Sequence, residues 1–141
     1  MRNKIQSGLM TVFGLLLLAV PALAHHSFTA EFDMKKPVVL TGTISKVEWI
    51  NPHAYVYLDV KDANGKVITY AVESRGTGEM HRLGLSKAKL MGALVTVRAY
   101  GAKDDTKNLV YLRHIKLPDG TEYEVWAGGE EGTGDQQGKP Q

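Results

Sequence analysis

A small antiparallel β-barrel of the OB type carrying one short helix is the fold this sequence predicts, and three observations point to it. Short runs rich in β-branched and aromatic residues follow one another from Val38 onward, separated by turn residues at close intervals. Within the run 55–60, Tyr55, Tyr57 and Asp59 alternate with Val56, Leu58 and Val60, which is the period-2 pattern of a half-buried strand with the aliphatic triplet facing the core. A short helix can be capped by Ser86, run over residues 87–91 and end at Gly92. It would stand between the third and fourth strands, where a five-stranded OB barrel carries its helix. A different small antiparallel barrel or a sandwich is the alternative arrangement of the same strands.

Each element has its own justification. Residues 38–47 read as a first strand, with Gly42 inside it where a barrel strand can bend. Asn64-Gly65 supplies the positive φ values of a tight hairpin turn between the second strand and its partner, residues 67–73. The segment 76–92 changes character and holds the expected helix. Strands resume over 94–100 and 109–117, and Asp119-Gly120 turns the chain into a final short strand over 121–126. Beyond Trp126 the composition falls to Gly, Glu, Gln, Asp and Lys, too poor in apolar surface to offset the entropy of ordering, so residues 127–141 are expected to form a disordered polar tail.

The first two dozen residues follow a different logic. Arg2 and Lys4 precede any acid, an apolar run occupies 9–20, and Ala22-Leu23-Ala24 follows, the n-region, h-region and cleavage-site order of a secretory signal. The run is about a dozen residues where a membrane-spanning helix needs roughly 20, so residues 1–24 are expected to be removed as a signal peptide rather than retained as an anchor. The mature chain then begins at His25, its domain spans 25–126, and the periplasm is the expected destination, with secretion beyond the cell as the alternative.

Removal of that segment takes away two of the 17 basic residues and none of the 15 acidic ones, so the formal net charge falls from +2 to 0. A neutral chain without a basic cluster predicts no nucleic-acid partner, since phosphate neutralisation supplies most of that affinity. Stable membrane insertion after cleavage is not expected either, nor attachment through a polybasic patch. The chain has no cysteine, so its stability must come from packing.

The start His25-His26-Ser27-Phe28, followed by Glu31-Phe32-Asp33, Leu40-Thr41-Gly42-Thr43, Trp49-Ile50-Asn51-Pro52-His53-Ala54 and Pro118-Asp119-Gly120, resembles a group of exported bacterial proteins classed as domain of unknown function 6152. The resemblance runs from about His25 to Trp126, and its most specific parts are the HHSF start and the W-x-N-P-H-A segment. It implies an exported OB-like β-domain and brings no settled activity.

The sharpest chemical reading concerns the new N-terminus. Once the signal is removed, His25 offers an imidazole nitrogen and a free α-amine that can close a chelate ring on one metal. The amine, with a reference pKa of about 7.7–8.0, gives up its proton cheaply near neutral pH. Amine and imidazole donors suit copper(II), and a second histidine would make the site similar to the histidine brace of exported copper proteins, in local chemistry and not in fold. His53, in a loop stiffened by Pro52, is the preferred second ligand, with His26 the other candidate. The plain alternative is that His25 and His26 are polar residues at a chain end and His53 an ordinary loop residue. His81 and His114 read as surface or edge residues.

Catalytic signatures are missing from the sequence: no G-x-S-x-G, no H-E-x-x-H, no phosphate-binding loop. No enzyme is expected. The carboxylates Glu31, Asp33, Glu48, Asp59 and Glu73 read as a solvated face, with Glu73 near Arg75 suggesting a surface ion pair. Trp49, Tyr55 and Tyr57 supply the rival reading, an exposed aromatic face on which a non-catalytic module stacks a ligand or a protein partner, against the plainer view that they cover a barrel end. The expected function is thus an exported OB-like domain that binds copper for storage, delivery or sensing.

Overall fold

The computed structural model describes residues 28–126. Expectations about the signal segment, His25, His26 and the tail 127–141 lie outside the described residues. Helix α1 (Phe28–Glu31) leads into β1 (Phe32–Glu48), β2 (Tyr55–Lys61) and β3 (Val67–Glu73). Two short helices follow, α2 (Thr77–Arg82) and α3 (Lys87–Leu90), then β4 (Leu94–Ala102), β5 (Leu109–Lys116) and β6 (Glu122–Glu124).

The sheet runs β3-β2-β1-β4-β5-β6, and a further β3–β5 pairing closes it into a ring. All ladders are antiparallel except that one, in which Ala71, Val72 and Glu73 pair in parallel with Leu109, Val110 and Tyr111. A closed ring of β1-β2-β3-β5-β4 with helices between β3 and β4 is the OB arrangement, so the expected fold holds.

Strand β1 can serve two neighbours because it is long and bent. Its residues 32–43 pair with β4 and its residues 43–48 with β2. Gly42 sits at the changeover, and a Cβ there would stand 2.3 Å from the Asp59 carbonyl oxygen, so only glycine lets the two backbones approach this closely. The strand starts six residues earlier than its periodicity suggested. Lys35, Lys36 and Pro37 interrupt the apolar alternation, and the register with β4 slips between Phe32 and Pro37.

The interior is aliphatic. Ile44, Val56, Leu58, Val72, Val95, Val97, Leu112 and Ile115 fill the barrel, while Met80, Leu85 and Leu90 from the α2–α3 segment cap one end. Each such side chain contributes roughly 1.5–3 kcal/mol by leaving water. Gly65 and Gly120 have φ of 81° and 87° at the two expected turns, although the first spans Asp62–Gly65, with the Gly65 N–H donating to the Asp62 carbonyl at 3.0 Å, rather than Asn64-Gly65 alone. Ser86 caps α3 by accepting from the Lys89 N–H at 3.3 Å.

A second, aromatic cluster lies outside the barrel. Phe28 and Phe32 from the start of the domain pack with Tyr111 of β5 and Trp126 from its end, with the Phe28 ring 4.4 Å from Trp126 and 5.1 Å from Tyr111 between centroids. The two ends of the described chain thus cover one another over β5.

Candidate functional site

The loop joining β1 to β2, residues 49–54, is fastened on both sides. Asn51 Oδ1 accepts from the Thr77 backbone N–H at 2.9 Å and from its hydroxyl at 3.0 Å, binding the loop to the first residue of α2. A Cβ on Gly76 would stand 2.8 Å from the Pro52 carbonyl oxygen and 2.9 Å from Asn51 Oδ1, so glycine is required for that approach. The Asn51–Pro52 peptide bond is cis. On the other flank the Ala54 N–H donates to the Arg75 carbonyl at 3.2 Å, and the Ala54 carbonyl accepts from the Ser74 N–H at 2.8 Å and from its hydroxyl at 3.1 Å. The β2–β3 ladder therefore continues past Tyr55, and His53 is held beside the end of β3.

There His53 meets Glu73. The imidazole Nδ1 is hydrogen-bonded to Glu73 Oε1, and Oε2 of the same carboxylate accepts from the Tyr55 hydroxyl at 2.8 Å. Tyr55 and Glu73 are register partners, so their side chains leave the ladder on the same face. The expectation of a solvated Glu73 paired with Arg75 is corrected: Glu73 is 5% exposed, and Arg75 instead donates to Glu79 at 2.6 Å. Arg75 lies beyond the end of β3 in the segment 74–76 that precedes α2, so strand alternation no longer sets its side chain beside that of Glu73.

A carboxylate so deeply placed must have partners, because an unpaired one would suffer a large desolvation cost. His53 and Tyr55 supply them. The Tyr55 hydroxyl is pushed well above the ordinary phenol range, first by burial, then by its hydrogen bond to Glu73 and the charges of Glu73 and Glu31. His53 keeps a quarter of its side chain exposed, and its Nε2 has no hydrogen-bond partner among the described residues.

The aromatic side chains do not make one open face. Trp49 is half-buried against the barrel core and takes His81 edge-on at 5.4 Å. Tyr57 donates to Glu48 Oε2 at 3.2 Å with Lys46 lying 4.7 Å above its ring, and Tyr55 is committed to Glu73. The two tyrosines are thus tied to neighbouring charged side chains and Trp49 to the core and His81. His81 is exposed on α2, and His114 lies 3.8 Å from Glu124 across β5–β6. Among the remaining carboxylates, Asp59 accepts from the Thr69 hydroxyl at 2.6 Å and Asp33 from the Lys35 N–H at 2.8 Å.

Among the described residues no three His, Asp or Glu side chains are grouped to hold a metal ion. A metal at His53 would need donors from elsewhere, and the fold brings the start of the domain close. Phe28 packs on Tyr111, and Tyr111 is the β5 partner of Glu73. Glu31, closing α1, is near enough for its charge to act on Tyr55.

The ring of strands and its end-capping helices define the class: a small OB-type β-barrel whose β1–β2 loop presents a carboxylate-held histidine. The chain belongs to the family of unknown function DUF6152, whose model matches residues 13–110. No curated protein matches it. Among solved structures it is similar to a mitochondrial single-stranded DNA binding protein from S. cerevisiae, at 18% identity and a TM-score of 0.47, over 59% of this chain and 93% of that one. Beside that likeness, the exclusion of nucleic acid drawn from charge balance is corrected and does not stand as a partner statement. A formal net charge sums over the whole surface and does not fix the field over any one face.

Proposed function

We propose that the chain is exported, that residues 1–24 are its signal peptide, and that the barrel of the mature protein binds a transition metal, copper in particular, at the outer end of β2 and β3. The observation that carries this reading is the His53–Glu73 pair. A ligating histidine characteristically gives its other ring nitrogen to a carboxylate or carbonyl, which fixes the ring and raises the basicity of the donor nitrogen. Here a buried carboxylate engages Nδ1 and leaves Nε2 for a ligand.

The remaining donors would be the α-amine and imidazole of His25, with His26 as the alternative ring. His25 stands three positions before Phe28, whose anchorage on Tyr111 sets it one strand from Glu73. Three residues reach at most about 10 Å at 3.3–3.6 Å per residue, which is compatible with a shared site beside His53. Nitrogen donors of this kind favour copper(II) and would equip the protein to store, deliver or sense it in the periplasm.

The test is a copper(II) titration followed by electron paramagnetic resonance on protein beginning at His25, beside a matched protein with one residue added ahead of it. One-to-one binding with nitrogen hyperfine structure, lost in the extended form and weakened by His53→Ala, is the expected result. Equal binding in both forms, or none, would refute the site.

A further inference from the structure

The geometry points to Glu73 and Tyr55 as positioning residues that fix the proton of His53 on Nδ1, so that the ring meets any ligand through Nε2 alone. This deepens the reading of His53 as a ligand and rests on it for its function, while its structural content can be tested without a metal.

The argument begins with what each group can donate. An ionised carboxylate only accepts hydrogen bonds. Glu73 has its two oxygens taken separately, Oε1 by His53 Nδ1 and Oε2 by the Tyr55 hydroxyl at 2.8 Å. The phenol must donate to Oε2, and in a neutral ring the nitrogen facing Oε1 must then be the one that carries the hydrogen. The other nitrogen is left with its lone pair.

Orientation follows from the same contacts. Glu73 projects from a strand paired on both sides, to β2 through Tyr55 and to β5 through Tyr111, so its backbone cannot easily turn. Its carboxylate could still rotate if only one oxygen were bound, and the Tyr55 hydroxyl prevents this by holding the second. Meanwhile Ala54, the residue after His53, is buried and bonded to Ser74 and Arg75, which fixes the backbone from which the imidazole projects. Tyr55 thus acts on His53 without touching the ligand: a hydroxyl holds a carboxylate, and the carboxylate holds a ring. No other described side chain is hydrogen-bonded to either oxygen of Glu73.

Two-bond nitrogen–proton NMR correlation spectra of the chain beginning at His25, which retains every described element, report directly where the His53 proton resides. In metal-free protein above neutral pH, a protonated Nδ1 and a lone-pair Nε2 are expected. Tyr55→Phe, which keeps the ring, should broaden or mix the two signals, and Glu73→Ala should abolish the preference while backbone amide spectra show the fold intact. A wild-type proton on Nε2, or an unchanged preference in a folded Glu73→Ala protein, would overturn the inference, and the wild-type spectrum alone decides it if that variant does not fold. Copper(II) titration of the same proteins separates the two readings. Loss of about 10- to 100-fold in affinity in Glu73→Ala is expected if His53 ligates metal. The expected tautomer with no copper binding in wild-type protein would sustain the positioning of His53 and refute the metal reading.

Discussion

Asn51 caps a helix that begins 26 positions further along the chain, its Oδ1 accepting from both the backbone N–H and the hydroxyl of Thr77. The residue preceding α2 is Gly76, which has no side chain to do this. Asn51→Ala should therefore cost about 1 kcal/mol, the usual consequence of losing a cap acceptor. In a domain of this size that lowers the melting temperature by roughly 4–8 °C. Asn51→Asp keeps the acceptor and should recover most of the loss in thermal melts. Equal melting temperatures for wild type and Asn51→Ala would show that the contact contributes nothing.

Two glycines two positions apart should respond with opposite signs. At Gly76 an added Cβ meets the Pro52 carbonyl at 2.8 Å, a backbone atom that cannot step aside, whereas at Gly78 nothing lies within 4 Å. Gly76→Ala should destabilise by about 1–3 kcal/mol through overpacking. Gly78→Ala, inside α2, should stabilise by up to about 1 kcal/mol, because alanine lowers the entropy cost of the helix. Urea unfolding midpoints measure both, and destabilisation by both variants would contradict the placement of Gly78.

What could be read in the sequence was what is decided locally. The Asn64-Gly65 turn, the Ser86 cap, the alternation over β2 and the Asp119-Gly120 turn each depend on residues within a few positions of one another. Helix α2 escaped notice because its cap comes from Asn51 rather than from Gly76. The burial of Glu73 escaped for a related reason. Its partners His53 and Tyr55 are 20 and 18 positions away, and the neighbouring Tyr111 is covered by Phe28 and Trp126 from opposite ends of the domain. A two-residue turn at Asn64-Gly65, counted outward, would set Tyr55 opposite Ser74, whereas the longer turn over Asp62–Gly65 pairs Lys61 with Val67 and Tyr55 with Glu73. Trp49 and Tyr57 were seen as a group because they are close in sequence, yet the bend between β1 and β2 sends one to the core and the other to Glu48.

The aromatic cluster of Phe28, Phe32, Tyr111 and Trp126 fastens the two ends of the domain together. Phe28 is 5% exposed, and Phe28→Ala should cost about 3 kcal/mol through lost burial and the space left behind. Trp126 would then face water on the side Phe28 had covered. In a Trp49→Phe background its emission should shift to longer wavelength in the folded state, before any global unfolding. Should the emission of Trp126 stay unchanged on removal of Phe28, the contact between the two ends would not be present in solution.

Alkaline titration should single out the tyrosines of β2. The hydroxyls of Tyr55 and Tyr57 are both raised above the ordinary phenol value, each chiefly by burial, with Glu73 opposing ionisation of the first and Glu48 that of the second. A group whose folded-state value exceeds the unfolded value of about 10 holds its proton more tightly when folded. The corresponding stabilisation is complete below about pH 10 and is lost as pH rises from there towards the folded-state values, where the unfolded chain has already ionised. Stability measured by denaturant should therefore fall more steeply above pH 10 in wild-type protein than in Tyr55→Phe, and phenolate absorbance should show Tyr55 ionising after Tyr57. Identical alkaline slopes in the two proteins would mean that Tyr55 is solvated like a free phenol, and the carboxylate of Glu73 would then have only His53 to hold it.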